Sequence, residues 1–587
     1  MNQIFLNLSE NKRIFLAMAF LFCFHLYTMT TCNIFYFTPD EMGYWANAAA
    51  YIGMDWSALK NPLYYNGGYS FIIAVFMYFF DSPLFIYRSL MILNALFNCV
   101  SFYFLYEILV SKYVFTSNHR QQAFIFALLS MAYPAYTLYT ETTQPECLLM
   151  MLGILSFYLL IAILEKGSRR YYILEALILG YMFAVHTRSV PIIVSVMGAL
   201  LLNAGWVWRQ KKTIDYNLML FLGLIGVLFA GNLYLKYYLL DSVYLYLGQG
   251  GNLLNGGNLL SGNLYKLKAL LSAKGILEFL RILEGHLYYI VVSTFGFSIL
   301  GMIYSWCEFF RNKEDFKKKI FYFTTSAAAV LSLLMSVLYF TNSNEQGLVF
   351  ATFSRYFEAS MGAVMVSFGL VAVIDCLHNK KTRLLLSSFV VTVYIILLFQ
   401  NVIQYYQGVD GIRNYQVGFL FFKVGNTYSY YYSSLFIVTG LLILITVRKS
   451  DNVLTVSYVL LGTMFLVGNF LNTVNGSVRN MRYDTMMKVS QGVVENLSPD
   501  EHTVYFYSPD HDINRLDYWW VAPIDLQYLL LKNVTVNVLR KSNELTADLK
   551  GKLIITTNGE DMIKKMNHLN SSSLSVYKDF IIWKMNE

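Results

Sequence analysis

Charged side chains are scarce in this chain, 14% of residues against 56% hydrophobic, with a mean hydropathy of +0.46. That balance excludes a soluble globular protein and places the chain among polytopic membrane proteins. The basic excess, a net +8, falls in short clusters between apolar segments as loop topology requires, so it does not form a nucleic-acid surface. The six cysteines (Cys23, Cys32, Cys99, Cys147, Cys307 and Cys376) lie singly in or beside apolar runs. Without a CxxC or a metal spacing they read as small apolar side chains, not as a metal centre or a disulfide framework. The stretch GQGGNLLNGGNLLSGN at 248–263 lacks the Lys-Ser/Thr ending and the preceding strand of a phosphate-binding loop. It reads as a mobile outer segment with spaced Leu anchors, or as a lid with glycine hinges. No small-x-small cleavage site follows the first apolar run, which is therefore read as a retained anchor.

What the chain does have is apolar length. Segments able to span a bilayer, ~20 residues each, fall near 14–33, 84–110, 122–139, 146–164, 171–187, 190–208, 216–236, 286–309, 320–340, 357–377, 384–400, 430–447 and 453–471. The expectation is a polytopic α-helical membrane protein of about 13 transmembrane helices. Basic clusters at 11–13, 111–120, 165–170, 209–212, 311–319, 378–383 and 448–451 occupy alternate loops, which makes that face cytoplasmic. The N-terminus is then cytoplasmic and the C-terminus extracytoplasmic. The short aromatic run 67–80 is read as an interfacial or re-entrant helix on the outer face.

From about Glu495 the pattern turns mixed and polar. Strands are expected at 504, 534, 553 and 576 and helices at 523 and 559, a small extracytoplasmic α/β C-terminal domain. The chain divides into a membrane domain, 1–474, whose outer first loop spans 34–83, and an outer tail with the α/β domain, 475–587.

The most informative motif is Thr38-Pro39-Asp40-Glu41-Met42-Gly43-Tyr44-Trp45, two adjacent carboxylates just after the first apolar segment. Acidic groups beside a bilayer are costly to keep and usually have a job, although Asp40 could instead cap the helix that follows. With NPLYYNGGYS and SPLFIYR downstream, and Arg355-Tyr356-Phe357-Glu358 late in the chain, the pattern resembles GT-C glycosyltransferases. Aminoarabinose transferases and protein O-mannosyltransferases are similar in layout. These integral-membrane enzymes use sugars carried on polyprenyl phosphates.

The resemblance implies a polyprenyl-phosphate-linked sugar donor, a glycan, lipid or protein acceptor of the cell envelope, and action on the outer face of a bacterial plasma membrane. It implies Asp40 as general base, with Glu41 positioning substrate or helping to hold a divalent metal ion in members that use one. Arg355-Tyr356 is the implied lipid-phosphate site, arginine offering a planar fork for phosphate. Here Ser354 and Ala359-Ser360-Met361 replace the Gly and Pro that often flank that element, and Lys60-Asn61-Pro62 replaces a Lys-Pro-Pro.

Other substrate-binding candidates are Arg88, which either snorkels to headgroups or faces the cavity, the acids of YTETTQPECLL after the third span, Glu141 and with it Glu146, which could instead be solvated at the interface, and the pair His186 and Arg188 at a helix end. Two rival functions remain. An oligosaccharide polymerase or ligase would rely on arginines of a large late outer loop. A lipid-linked-sugar flippase would carry charges at the bilayer midplane and repeated halves.

Overall fold

The computed structural model describes residues 9–243, 266–377 and 479–586, apart from breaks of which the longest are 342–354 and 508–517, and only isolated positions between 378 and 478. The expected spans 384–400, 430–447 and 453–471 and the glycine-rich loop at 248–263 lie outside the described residues.

The apolar segments form helices as their composition dictates, because a backbone in lipid must satisfy its own hydrogen bonds. In chain order these are α1 Glu10–Thr28, α2 Thr38–Tyr51, α3 Gly67–Phe79, α4 Pro83–Val110, α5 Arg120–Met131, α6 Pro134–Thr140, α7 Glu146–Lys166, α8 Arg169–Val185, α9 Val190–Lys211, α10 Tyr216–Val243, α11 Ala273–Ser293, α12 Phe297–Arg311 and α13 Phe316–Phe340. The helix α14 starts with Arg355–Phe357, passes through a π-helical Glu358–Gly362 and continues as Ala363–Leu377. Local chemistry sets several of these starts. Ser82 caps α4 by accepting the Phe85 N–H at 3.3 Å, with Pro83 at the first helical position. Asp315 caps α13 through the Lys318 N–H at 3.0 Å.

Among the described residues, 7 helices are long and apolar enough to cross a membrane, or 8 when the bent pair α5 and α6 is taken as one span. The chain is a multi-pass membrane protein. That pair, expected as a straight segment at 122–139, bends by 57° because Pro134 opens the second helix and the residue before a proline avoids the helical region. The span expected at 286–309 is two helices. Its break is at Gly296, whose φ of 77° ends the helical path as a left-handed glycine does. The run at 67–80 is helical but only 13 residues long.

The C-terminal region contains a helix at 479–496 (α15), then β1 Thr503–Tyr507, α16 Tyr518–Leu530, β2 Thr535–Leu539, β3 Leu553–Thr557, α17 Glu560–His568, β4 Ser571–Val576 and β5 Phe580–Met585. The strand order is β2-β1-β3-β5-β4. β1 runs parallel to β2 and β3, while β5 is antiparallel to β3 and β4. This sheet lies against the membrane domain through α16. Tyr528 packs its ring on Phe35, Trp45 and Tyr87, with centroids 4.8, 5.5 and 5.8 Å away, and donates to the Asn33 carbonyl at 3.1 Å. Asp525, fully buried, takes a bidentate bond from Arg482 of α15, and Lys532 pairs with Asp81 at 2.7 Å. The small domain therefore covers the end of the bundle at which α2 carries its acidic pair.

Candidate active site

Asp40 is the third residue of α2, one turn inside it and not at its cap. Its side chain, 35% exposed, does not turn back to the helix. Oδ1 accepts from the Tyr65 hydroxyl at 2.9 Å and Oδ2 from Nη1 of Arg355 at 3.2 Å. Arg355 in turn sends Nε and Nη2 to Oε1 of Glu146, both at 2.7 Å. The same oxygen receives Nη1 of Arg188 at 2.9 Å. One carboxylate at the start of α7 thus holds two guanidiniums, and all three groups are nearly inaccessible. Leaving a charge unpaired there would cost several kcal/mol, about 3–5 for removing one partner of a buried pair.

Tyr356 completes the cluster. Its ring lies 4.4 Å from the Arg188 guanidinium and stacks on Phe340 at 5.8 Å, a cation–π arrangement that fixes the arginine. His186 ends α8 in an extended conformation, and its Nδ1 accepts the Arg188 backbone N–H at 3.1 Å. A ring nitrogen that accepts a hydrogen bond carries no proton.

Near this cluster is an apolar cavity of about 640 Å³, lined by Phe183, Val190, Leu233, Leu267, Leu334 and Leu338 among others. Asn66 and Thr187, the chain neighbours of Tyr65 and Arg188, also line it. Lys266, partly buried, rests its amine on the ring and carbonyl of Tyr339. Tyr339 packs on Tyr356 with centroids 5.0 Å apart. Burial lowers the Lys266 amine to about 8.

Glu41 belongs to a second, drier network. Oε1 accepts the Tyr36 N–H at 2.7 Å, and Oε2 accepts the Tyr87 hydroxyl, the Thr143 N–H and the Thr143 hydroxyl at 3.2, 2.8 and 2.7 Å. The side chain is buried and ties α2 to the α6–α7 turn. Glu141 joins the same network by its backbone, accepting Tyr87 at 3.3 Å and Arg479 at 3.2 Å on its carbonyl. Its carboxylate lies 3.9 Å from Arg479, and burial lifts it to about 7 against the opposing pull of that cation. Arg88 meets neither Asp40 nor this network. It donates to Asn33 at 2.7 Å and to the Thr30 carbonyl at 3.4 Å.

Of the residues singled out from sequence, Asp40, His186, Arg188, Arg355 and Tyr356 converge, whereas Glu41, Glu141 and Arg88 lie apart from them. Glu146, not Glu141, is the acid of the YTETTQPECLL segment that enters the cluster. Arg479 was legible only as part of the basic RNMR stretch before the small domain. Tyr65 lies within the NPLYYNGGYS element without having been singled out there, and Thr143 and Lys266 gave no sequence signal among the many threonines and lysines. A divalent ion at Asp40 and Glu41 does not fit. Glu41 spends both oxygens on four protein donors and Asp40 faces a guanidinium. Among the described residues no three His, Cys, Asp or Glu side chains gather as a metal site.

Residues 68–233, which include α3 from its second residue, Arg88, Glu141, Glu146 and Arg188, match the family described as dolichyl-phosphate-mannose-protein mannosyltransferase. The fold is similar to that of ArnT from Cupriavidus metallidurans bound to undecaprenyl phosphate, at 12% identity and a TM-score of 0.51, covering 98% of each chain. That likeness is one of fold. The fold is also similar, with lower scores, to the apo state of the same ArnT (13% identity, 98% of each chain, TM-score 0.49) and to the arabinosyltransferase EmbB from Mycobacterium smegmatis (11% identity, 82% of this chain and 41% of that one, TM-score 0.41). No curated protein sequence is significantly similar to it.

Proposed function

We propose that this chain transfers a sugar from a polyprenyl phosphate to a cell-envelope acceptor on the outer face of a bacterial plasma membrane. The observation that carries the reading is the contact of the accessible Asp40 with the buried Arg355 beside an apolar cavity. Arg355 and Arg188 hold the donor's phosphate, their positions fixed by Glu146 and by the face of Tyr356. The cavity, within the ~300–1,000 Å³ of ordinary ligand sites, takes the carbons nearest the phosphate, each buried methylene contributing about 0.8 kcal/mol.

Asp40 accepts the proton of the acceptor hydroxyl as that oxygen attacks the anomeric carbon. The bond from that carbon to the phosphate oxygen breaks with inversion, and the prenyl phosphate leaves with the bonding pair, stabilised by the two guanidiniums. Before donor binding, Asp40 spends Oδ2 on Arg355. An arriving phosphate competes for that guanidinium, and the carboxylate that yields is Asp40, because its bond is longer and its side chain more exposed than that of Glu146. Donor binding thereby releases the base for the acceptor. Glu41 and Glu141 serve as struts behind the site.

Binding of undecaprenyl phosphate and of undecaprenol to the purified protein tests the phosphate site. Wild type should prefer the phosphate by at least tenfold. Arg355→Lys should weaken phosphate binding by losing the planar fork, and Arg355→Ala should abolish the preference. Equal affinities for both lipids in all three proteins would remove the phosphate from this site.

A further inference from the structure

Glu358 has no part in the chemistry above, yet it is an acidic side chain inside a membrane-spanning helix, 2% exposed and without an ion pair among the described residues. Such groups are expensive in a bilayer and are kept for a reason. Its surroundings are built to receive it. Tyr133 donates to Oε1 at 2.8 Å, Tyr139 to Oε2 at 2.9 Å, and Tyr136 to the Glu358 backbone carbonyl at 3.2 Å. The three tyrosines recur every third residue along α6 and the residue preceding it, so they line one helical face. Tyr289 of α11 bonds the carboxylate as well.

The segment so held is the π-helical turn Glu358–Gly362. A π turn contains one residue more than an α turn, and each residue turns the helix by about 100°. Everything N-terminal to the bulge is therefore rotated by roughly that angle relative to a continuous α-helix. The residues immediately N-terminal are Arg355 and Tyr356. The part of α14 beyond the bulge is pinned separately, Ser367 sharing a 2.8 Å hydrogen bond with Ser130 of α5. Gly362, the last residue of the bulge, leaves room for the Tyr136 hydroxyl, which would lie 2.8 Å from a Cβ there. With the far half of α14 fixed, straightening the bulge would swing Arg355 away from Glu146 and Asp40.

We propose that Glu358, clasped by Tyr133, Tyr136 and Tyr139, is a positioning residue that keeps the π turn in place and so aims Arg355 at the donor's phosphate. The inference rests on the reading of Arg355 as the phosphate ligand. A double-mutant cycle on undecaprenyl phosphate binding by the purified full-length protein tests it. Glu358→Ala should weaken binding tenfold or more. Glu358→Gln, which keeps one acceptor oxygen for the clasp, should recover part of the loss, and Tyr139→Phe should act in the same direction should the alanine variant not fold. Once Arg355→Ala is present, the Glu358 change should add nothing, because it acts only through that arginine. Additive losses, or wild-type affinity in Glu358→Gln and Tyr139→Phe together, would overturn the positioning role and leave the phosphate site standing. Wild-type affinity in Arg355→Ala alone would overturn the phosphate site itself, and the positioning role with it.

Discussion

Two neighbouring carboxylates, one turn into the same helix, meet different surroundings because a helix turns about 100° per residue. Asp40 meets a cation and a tyrosine hydroxyl at an accessible edge, and Glu41 meets four protein donors in the interior. Asp40→Asn is expected to lower turnover by about 10²-fold or more, a usual contribution of a general base, while polyprenyl phosphate binds at least as tightly as to wild type because a competitor for Arg355 has been neutralised. Steady-state turnover together with lipid binding on the same preparation checks both halves. Normal turnover would reduce Asp40 to an ion-pair partner.

Glu141 yields a prediction about pH. Its carboxyl is raised to about 7 by burial, above its unfolded value of about 4.3. The protonated form is favoured by folding, so this stabilisation is complete below about pH 4 and is lost as pH rises through about 7. Melting temperature measured from pH 5 to 8 should fall more steeply for wild type than for Glu141→Gln. Parallel curves would show that the carboxyl does not titrate in this window.

At the scale of elements, the small domain was readable because its strands alternate or are wholly apolar and its helices are not. β1, β2, β3 and β5 lie where β-branched and aromatic runs put them. The serine-rich β4 was missed, since SSSLSV at a largely exposed edge offers no apolar face. α16 begins five residues earlier than Pro523, the residue that reads as its start because proline favours the first helical turn. The break at Gly296 and the π turn after Arg355 were not legible, since hydropathy stays high across both and only backbone geometry distinguishes them. The docking of α16 depends on the buried Asp525–Arg482 pair. Asp525→Ala, which strands a largely buried guanidinium, should destabilise the protein by about 3–5 kcal/mol. Chemical denaturation in detergent measures the loss, and a change below about 1 kcal/mol, the range of an exposed pair, would show that water replaces the bond.

At the scale of the whole molecule, composition pointed to the membrane class and the acidic motif to one member, Asp40, of the cluster proposed as the site. What sequence could not supply was convergence. Glu146 and Glu141 are five residues apart in one motif, and only folding reveals that the first meets Arg355, 209 positions away, while the second turns to Arg479. The same holds for Lys266, which becomes visible only beside Tyr339. The basic clusters on alternate loops put the C-terminal domain and the loop at 311–319 on opposite faces in the proposed topology. In intact cells a membrane-impermeant thiol reagent should reach a cysteine placed at Asn558 and miss one at Lys317, and the reverse pattern would put the proposed site on the wrong side of the membrane.

Sugar transfer from a prenyl phosphate with Asp40 as base has a signature in living cells. It is read by mass spectrometry of prenyl-linked sugars and envelope polymers from cells whose only copy is wild type or Asp40→Asn. A prenyl-phosphate monosaccharide should accumulate in the variant while an envelope acceptor loses one sugar. Unchanged prenyl-linked pools and unchanged polymers in the presence of folded Asp40→Asn protein would contradict it.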